Sequence, residues 1–265
     1  ARLSCACGAV ELRLRRGCCR TGAATRRYRR RNSPVPGAQL DPVGVDVGAA
    51  PGSVGRTMAH YSDVGVFVCF EGGDGSGKST QSKALAAWLE AEGYGVRLTF
   101  EPGDTEVGRT LREIVLSPET GELSDRTESL LYAADKAEHV EKVVAPALAQ
   151  GTVVITDRYV DSSLAYQGTG RAIDAAELES VLRWATGDLR PHLTVLLDVE
   201  PSAGLARFDE RDRIEAEGLD FHRRAREGFL ALAAANPDHY LVLDARDDRD
   251  ALAAQIRERV EGLLR

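Results

Sequence analysis

Long apolar runs, asparagine and histidine are scarce in this chain of 265 residues. No apolar run approaches the ~18–20 residues that a membrane-spanning helix requires, and scattered arginines in residues 1–20 leave no secretory signal. The two asparagines, Asn32 and Asn236, form no N-K-x-D motif for reading guanine, so a guanine-nucleotide switch protein is not expected. The five histidines show no ligand spacing, so we expect no histidine-based metal site.

Cysteine is almost confined to the beginning of the chain. Four of the five cysteines lie within the first 19 residues, and Cys69 alone falls in an apolar strand pattern. The rest of the chain therefore has no disulfide framework, which fits a protein of the reducing cytoplasm. A zinc site built from the early C-x-C and C-C pairs is an alternative, but this spacing departs from the usual C-x₂₋₄-C and no histidine lies nearby.

The net charge of −7 is divided unevenly along the chain. Residues 1–57 carry a charge of +8, from eleven arginines and three acids, whereas residues 58–265 carry −15. An acidic body is a poor nucleic-acid binder, so a site for an anionic substrate needs locally concentrated lysine and arginine. We therefore expect a small-molecule substrate, with neither nucleic acid nor membrane as a partner.

Residues 1–57 differ from the rest of the chain in composition. They are rich in Arg, Gly, Ala and Pro, contain the run Arg26–Arg31, and show almost no hydrophobic period, so disorder is expected. A basic nucleic-acid arm is one interpretation. The one we favour is a non-native leader ahead of a translation start at Met58, the single methionine, which makes 58–265 the functional domain. An intact mass from the native host that includes residues 1–57 would contradict this hypothesis.

Strand and helix patterns alternate from Met58 onward. An apolar β-branched run predicts a buried strand at 66–70, and four further strands are predicted at 95–100, 152–157, 193–199 and 240–243. Helical periodicity predicts helices at 78–92, 105–116, 124–150 with an interruption near Pro146, 174–186, 203–208, 222–235 and 251–264. Strands separated by helices predict a three-layer α/β fold, with helices on both faces of a parallel five-stranded sheet.

The most specific motif is the segment Gly72–Ser79, which matches G-x-x-x-x-G-K-[ST] in full between a predicted strand and a predicted helix. It makes the expected fold that of the P-loop NTPases. Glycines let several backbone N–H groups face one point, and the helix N-terminus adds the positive end of its dipole. Lys78 can reach the β- and γ-phosphates of ATP, and the Ser79 hydroxyl can bind Mg²⁺. The predicted nucleotide-binding residues are Gly72, Gly73, Asp74, Gly75, Ser76, Gly77, Lys78, Ser79 and Thr80.

Asp157 and Arg158 end the third predicted strand, where ligands collect in an open parallel sheet. We expect Asp157 near Mg²⁺, as the second metal-binding residue beside Ser79, and Arg158 near an anion. The alternative is an ordinary surface salt bridge between the two. The turn Glu101–Gly103 follows the second predicted strand in the same way, with Arg112 in the helix beyond it.

Arg211 and Arg213 lie in a charged stretch between two predicted helices. Because Ser76 of the phosphate loop is not basic, these arginines are candidates for a small lid that neutralises the transferred group; a solvated helix end is the alternative. A phosphate-monoester acceptor is already anionic, so no catalytic base is required and the obstacle is like-charge repulsion. The predicted catalytic residues are therefore Lys78, Arg158, Arg211 and Arg213.

Together these segments resemble the bacterial thymidylate kinase family of P-loop nucleoside monophosphate kinases. The resemblance runs from about Val66 to the C-terminus and rests on FEGGDGSGKST (70–80), EPG (101–103), YAADKAEH (132–139), DRYVDSSLAYQGTG (157–170) and DRIE (212–215). It implies Mg²⁺-assisted in-line transfer of phosphate from ATP to dTMP, giving dTDP for dTTP biosynthesis. It also implies a cytoplasmic homodimer.

The resemblance implies residue roles as well. Asp74 matches the acid near the sugar 3′-hydroxyl, Tyr132 matches the aromatic that stacks on thymine, and Gln167 matches the amide that reads the base. Ser162 and Ser163 match hydroxyls that line the base pocket. The arginines at 112 and 158 match the clamp on the acceptor phosphate, and those at 211 and 213 match the lid. The predicted substrate-binding residues are Asp74, Glu101, Arg112, Tyr132, Lys136, Arg158, Ser162, Ser163 and Gln167.

Two positions depart from the family pattern. Phe100 stands where members usually carry arginine before EPG, so Arg112 or Arg109 has to compensate for the lost cation. Lys136 replaces another usual arginine and keeps the charge without the planar two-pronged donor. Both departures bear on affinity and substrate strictness rather than on the class of reaction.

Two other functions remain open from the sequence. A kinase of another nucleoside monophosphate would share the phosphate loop and the lid, and would differ in the acceptor pocket. A nucleotide-binding protein with little catalysis would use residues 1–57 to hold nucleic acid, and its DNA binding would be salt-sensitive. Tyr132 has an alternative of its own, a core aromatic on a helix.

Overall fold

The computed structural model describes residues 61–171, 173–207 and 212–264. The predictions for residues 1–57, including the early cysteines and the start at Met58, lie outside the described residues, and so does the lid role of Arg211.

Five parallel strands form one sheet within the described residues. They are β1 Phe67–Glu71, β2 Val96–Phe100, β3 Val153–Asp157, β4 Leu193–Asp198 and β5 Tyr240–Asp244, in the spatial order β2-β3-β1-β4-β5. The register places Asp157 beside Phe70 on one side and Phe100 on the other. The segments that leave β1, β2 and β3 therefore emerge next to one another at the carboxyl edge of the sheet.

Helices cover both faces of this sheet. They are α1 Lys78–Ala91, α2 Glu106–Leu116, α3 Asp125–His139, α4 Ala145–Ala149, α5 Val160–Ser163, α6 Ala175–Thr186, α7 Pro201–Leu205, α8 Leu219–Ala235 and α9 Arg249–Glu261. Val68 and Phe70 pack towards α1 and α9, whereas Phe67 and Cys69 pack towards α3 and α6. This alternation follows from the two-residue period of a strand. The predicted three-layer α/β fold is confirmed, as is strand packing for the buried Cys69.

Side chains and backbone define where the helices begin. The side-chain oxygens of Thr105, Ser124 and Asp174 accept hydrogen bonds from backbone N–H groups in the first turns of α2, α3 and α6. No described side chain caps α1 in this way; its N-cap is Gly77, at φ 93°. The start of α1 thus has no side-chain cap that would compete with a ligand for its N–H groups.

Several helix predictions differ from the structure in detail. The long segment predicted at 124–150 changes pitch in a π-helical turn, Val140–Val144, ahead of the predicted break at Pro146. The helix predicted at 203–208 is α7, which begins earlier because proline is well suited to a first helical position. Sequence analysis also missed α5 and the π-helical segment Leu164–Gly170, whose glycines hid the helical pattern. None of the described helices combines the length and the apolar character needed to span a bilayer.

Candidate active site

The phosphate loop connects β1 to α1 at the carboxyl edge of the sheet. Gly72 has a φ of 135°, and a Cβ at this position would collide with the carbonyl oxygen of Leu197, so only glycine fits. Lys78 Nζ donates to the carbonyl oxygens of Gly72 at 3.0 Å and Gly73 at 2.8 Å. The ammonium group is therefore held inside the curl of the loop.

Burial lowers the pKa of the Lys78 ammonium group. The side chain sits in the loop beside Arg158, and burial first, then that positive neighbour, lowers the pKa of Lys78 to about 8. Lys78 is thus cationic at neutral pH, but it loses its proton at a pH at which ordinary lysine side chains are still protonated.

We expect a pH dependence of nucleotide binding from this shift. Above a pH of about 8, neutral Lys78 no longer attracts phosphate, so affinity for MgADP should fall roughly tenfold per pH unit. Titration calorimetry from neutral to alkaline pH measures this fall. The Lys78→Arg variant is the matched control, because a guanidinium stays protonated and the fall should move to higher pH. A wild-type affinity that stays constant well above pH 8 would contradict the expectation.

Ser79 and Asp157 meet beside the phosphate loop. Ser79 Oγ donates to Asp157 Oδ2 at 2.5 Å, although Ser79 lies in the first turn of α1 and Asp157 at the end of β3. A hydroxyl and a carboxylate oxygen are ligands that Mg²⁺ accepts when phosphate oxygens and water complete its shell. One hydroxyl and one carboxylate leave most of the coordination shell of Mg²⁺ to other ligands, so the predicted pair suits an ion that is shared with a nucleotide.

Arg158 forms an ion pair with Asp74 of the phosphate loop, and the alternative of a surface bridge to Asp157 is not found among the described residues. Its Nη1 also donates to Ser162 Oγ at 3.0 Å and to the Gly72 carbonyl at 3.2 Å. The guanidinium carbon lies 5.3 Å from the centre of the Tyr166 ring, within range of a cation–π contact. These contacts fix a planar cation at the exit of β3.

Glu71 is a buried acid that sequence analysis did not select. Its carboxylate accepts hydrogen bonds from Tyr159 N at 2.8 Å, Ser162 N at 3.0 Å and Ser162 Oγ at 2.6 Å. Burial, followed by the charge of Asp161, raises the pKa of Glu71 to about 7. Glu71 therefore ties the segment after β3 to the end of β1. The sequence does contain a signal for Glu71, because an acid at the end of an apolar strand, directly before a phosphate loop, is unusual in a buried position.

Two cavities adjoin at this edge of the sheet. One, of about 680 Å³, runs along the phosphate loop and is lined by Lys78, Ser79 and Asp157 among others; we call it the loop cavity. The other, of about 150 Å³, is the inner cavity. All the predicted substrate-binding residues line the inner cavity: Asp74, Glu101, Arg112, Tyr132, Lys136, Arg158, Ser162, Ser163 and Gln167. The two cavities share the lining residues Asp74, Glu101, Arg112 and Arg158.

Lys136 takes part in a buried ionic cluster rather than pointing freely into the inner cavity. Its Nζ lies 2.8 Å from Glu101 Oε2, and His139 Nδ1 lies 2.7 Å from Glu101 Oε1. All three side chains are at most 3% exposed. Burial raises the pKa of Glu101, but Lys136 and His139 outweigh it and hold the pKa below its ordinary value. Both carboxylate oxygens are thus engaged by cationic or hydrogen-bonding partners.

Removing the cation from this cluster should destabilise the fold. The Lys136→Met change leaves Glu101 buried with one partner fewer, and breaking a buried ion pair costs about 3–5 kcal/mol. Urea unfolding at neutral pH measures the loss in the free energy of unfolding. Lys142→Met, at an exposed position of the same helical region, serves as the matched control. A loss as small as that of the control would show that Lys136 is not needed to balance Glu101.

Phe100 supports Arg112 at the boundary between the cavities. The Arg112 guanidinium carbon lies 5.9 Å from the centre of the Phe100 ring, and its Nη1 donates to the Pro102 carbonyl at 2.8 Å. Of the two arginines proposed to compensate for the missing family arginine, Arg112 lines both cavities. Arg109 is exposed and lines neither.

Arg213, the predicted lid arginine that lies within the described residues, is not brought to the phosphate loop. Arg213 donates to the Val115 carbonyl at 2.8 Å and to Glu128 Oε2 at 2.5 Å, and it lines neither cavity. Its role in the lid stays a prediction that requires it to leave Glu128. Arg207, which was not selected, donates to the Gly75 carbonyl at 2.6 Å and lines the loop cavity.

A loop shaped for nucleotide phosphates that shares an arginine-bearing wall with a second cavity defines a P-loop kinase acting on a small anionic acceptor. The family model described as Thymidylate kinase matches residues 70–256, so this chain belongs to the thymidylate kinase family. The motif resemblance and the class of enzyme, a phosphotransferase, are thereby confirmed.

Individual relatives agree with this assignment. The thymidylate kinase of Cutibacterium acnes is 55% identical over 200 residues, which cover 76% of this chain and 98% of that protein. The thymidylate kinase of Clavibacter sepedonicus is 53% identical over 204 residues, 76% of this chain and 96% of that protein. The crystal structure of thymidylate kinase from Ehrlichia chaffeensis matches with a TM-score of 0.62 and 30% identity, over 74% of this chain and 98% of that one.

Proposed function

We propose that this protein transfers the γ-phosphoryl group of ATP to dTMP and so forms ADP and dTDP. One observation carries the proposal: every predicted acceptor residue lines the inner cavity, which shares a wall with the loop cavity. Two nucleotides bound in adjoining cavities would face each other across Arg112 and Arg158. This is the placement that direct transfer between two phosphates requires.

The loop cavity would hold ATP with Mg²⁺. Backbone N–H groups of residues 72–80 and the start of α1 would surround the β- and γ-phosphates, and Lys78 would exchange its carbonyl partners for phosphate oxygens. Ser79 and Asp157 would hold the metal ion, which screens the negative charge of the transferred group when bound.

The inner cavity would hold dTMP. Tyr132, which is half-buried on α3 and lines the cavity, would stack on the base, and Gln167 would read its edge. Asp74, which lines both cavities, would accept a hydrogen bond from the sugar 3′-hydroxyl. The volume of about 150 Å³ lies below the ~300–1,000 Å³ of ordinary ligand sites, so the inner cavity would have to widen when dTMP binds.

The transfer needs positioning and positive charge rather than a base. Arg158 and Arg112 would clamp the acceptor phosphate, whose oxygen attacks the γ-phosphorus while the bond to the β–γ bridging oxygen breaks. Lys78 would neutralise charge on the donor side, where Arg207 already lies beside Gly75. Arg213, and Arg211 with it, would complete the lid once the Arg213 bond to Glu128 opens.

The test is ADP release from ATP and Mg²⁺ by the full chain, with dTMP, dUMP, dCMP, AMP and GMP supplied in turn. We expect strong turnover with dTMP. Strong turnover with a different monophosphate alone would replace the proposal by a kinase of that acceptor. Normal ATP binding without turnover of any acceptor would contradict phosphoryl transfer.

Lys136→Arg should preserve or improve turnover of dTMP. Arginine keeps the positive charge opposite Glu101, at 2.8 Å in the wild type, and restores the planar donor usual in the family. Steady-state kcat and KM for dTMP measure the effect, with unfolding by urea as a control for stability. A large loss of turnover in a stable variant would show that Lys136 has a different role.

We also propose a cytoplasmic homodimer whose catalytic domain spans residues 58–265. The family match to residues 70–256 supports the domain, the family resemblance supports the dimer, and the free, buried thiol of Cys69 suits a reducing compartment. Light scattering on the full chain tests the dimer, and a monomer at all concentrations would contradict it.

A further inference from the structure

Glu128 joins the base side of the inner cavity to the segment that carries Arg213. It lies on α3, one turn before Tyr132, and its side chain is 1% exposed. Oε1 accepts hydrogen bonds from Gln167 Nε2 at 3.0 Å and from Arg171 Nε at 3.3 Å. Oε2 accepts from Arg171 Nη2 at 3.2 Å and from Arg213 Nη2 at 2.5 Å. No family motif quoted above contains this residue.

The charge of Glu128 determines which way the Gln167 amide faces. Burial raises the pKa of this carboxylate, but hydrogen bonds from Arg171, Gln167 and Arg213 outweigh burial and hold the pKa below its ordinary value. An ionised carboxylate only accepts hydrogen bonds, so Gln167 must present its NH₂ group to Glu128. The carbonyl oxygen of the same planar amide is then left for the inner cavity, which Gln167 lines.

An amide oxygen that faces the base favours one kind of pyrimidine. Thymine and uracil carry a hydrogen on N3 and can donate to it, whereas cytosine carries a lone pair on N3 and would be repelled. A site built to receive a donor rejects an analogue that lacks it far more strongly than it rejects a change of one methyl group.

We propose that Glu128 is a positioning residue, which turns the Gln167 amide so that the cavity selects pyrimidines bearing an N3 hydrogen. This inference rests on the proposed function. Arg171 donates to both carboxylate oxygens of Glu128 and needs an acceptor there even after Arg213 has moved to the lid, so the arrangement has one direction only. An uncharged amide at position 128 would accept from Arg171 with its oxygen and offer its NH₂ to Gln167, whose amide then has to reverse.

The test compares the full-length wild type with Glu128→Gln, using dTMP, dUMP and dCMP as acceptors. We expect the ratio of kcat/KM for dTMP over dCMP to fall roughly tenfold or more, mainly through a higher KM for dTMP, because Gln167 then offers the wrong group. The ratio for dTMP over dUMP should stay unchanged, since both bases carry the N3 hydrogen. General loosening of the fold would not separate these two ratios.

Two further variants complete the test. Glu90→Gln makes the same chemical change at an exposed position of α1 and should leave both ratios unchanged. Glu128→Asp keeps the charge and should restore most of the selectivity against dCMP. If Glu128→Gln lowers activity while the dTMP over dCMP ratio stays at the wild-type value, the proposal is wrong. A wild type inactive on dTMP would instead refute the function on which it rests.

Discussion

Replacing Lys78 with methionine should lower kcat by about 10²–10³-fold, because removing one preorganised donor from a developing charge costs that much. Lys78 is held within the curl of the phosphate loop by two backbone carbonyls, so its charge is already placed where the transferred group would lie. Methionine keeps an unbranched side chain that is one heavy atom shorter, with sulfur in place of one methylene, and removes the ammonium group. The fold should tolerate the change, since it also removes a cation that burial disfavours.

The measurement is initial-rate ADP formation at saturating dTMP and ATP, supported by thermal unfolding of each variant. Lys142→Met, at an exposed site outside both cavities, provides the matched control and should keep the wild-type rate. A loss of less than tenfold in a folded Lys78→Met protein would mean that another cation neutralises the donor phosphates. Arg207, on the Gly75 carbonyl, would then be the first residue to test.

Arg158→Ala should reduce kcat/KM for dTMP about 10³-fold, as removing one member of a hydrogen-bonded charge pair costs ~2–5 kcal/mol. Arg158 lines both cavities and pairs with Asp74, so the change removes a phosphate clamp and leaves an acid without its partner. The KM for ATP should change much less than the KM for dTMP, because the phosphate loop keeps its own donors.

Arg158→Lys separates the loss of charge from the loss of geometry. Lysine retains a cation near Asp74 but cannot donate to Asp74, Ser162 and the Gly72 carbonyl from one rigid plane, so an intermediate activity is expected. Arg158→Lys also serves as a control for misfolding, because Asp74 and the other buried acids near it keep a positively charged neighbour. Equal KM values for dTMP in the wild type and both variants would contradict a clamp at Arg158.

The strands and the phosphate loop could be predicted because their signals are local. Five short segments define five strands to within a residue or two; the central strands β1, β3 and β4 are buried and read as almost continuous apolar runs. The phosphate loop is one contiguous segment, because a single turn and the helix start after it supply the N–H groups that would bind phosphate. A contiguous motif can be recognised directly in the sequence. Segment Leu164–Gly170 escaped prediction because its glycines oppose a helix, and tertiary packing, mainly against α8, stabilises it.

The partners of the buried charges could not be predicted. The structure pairs Lys136 with Glu101 and Arg213 with Glu128, and the predictions that Lys136 contacts substrate and that Arg213 acts at the phosphate name neither acid. A charge buried in a fold must find a counter-charge, and the nearest one in space is far away in the sequence. The residue types alone do not reveal which of several acids will be the counter-charge of a given lysine or arginine.

The sequence by itself thus determined the class of fold, the nucleotide-binding loop and the set of residues that gather around the inner cavity. The tertiary structure decided which of these residues are held by one another. In the folded protein, hydrogen bonds to Glu71 join the end of β1 to the segment after β3, and Arg112 lies over the Phe100 ring. The physical reason is that motifs encode short-range geometry, whereas ion pairs and ring contacts depend on how the strands and helices pack.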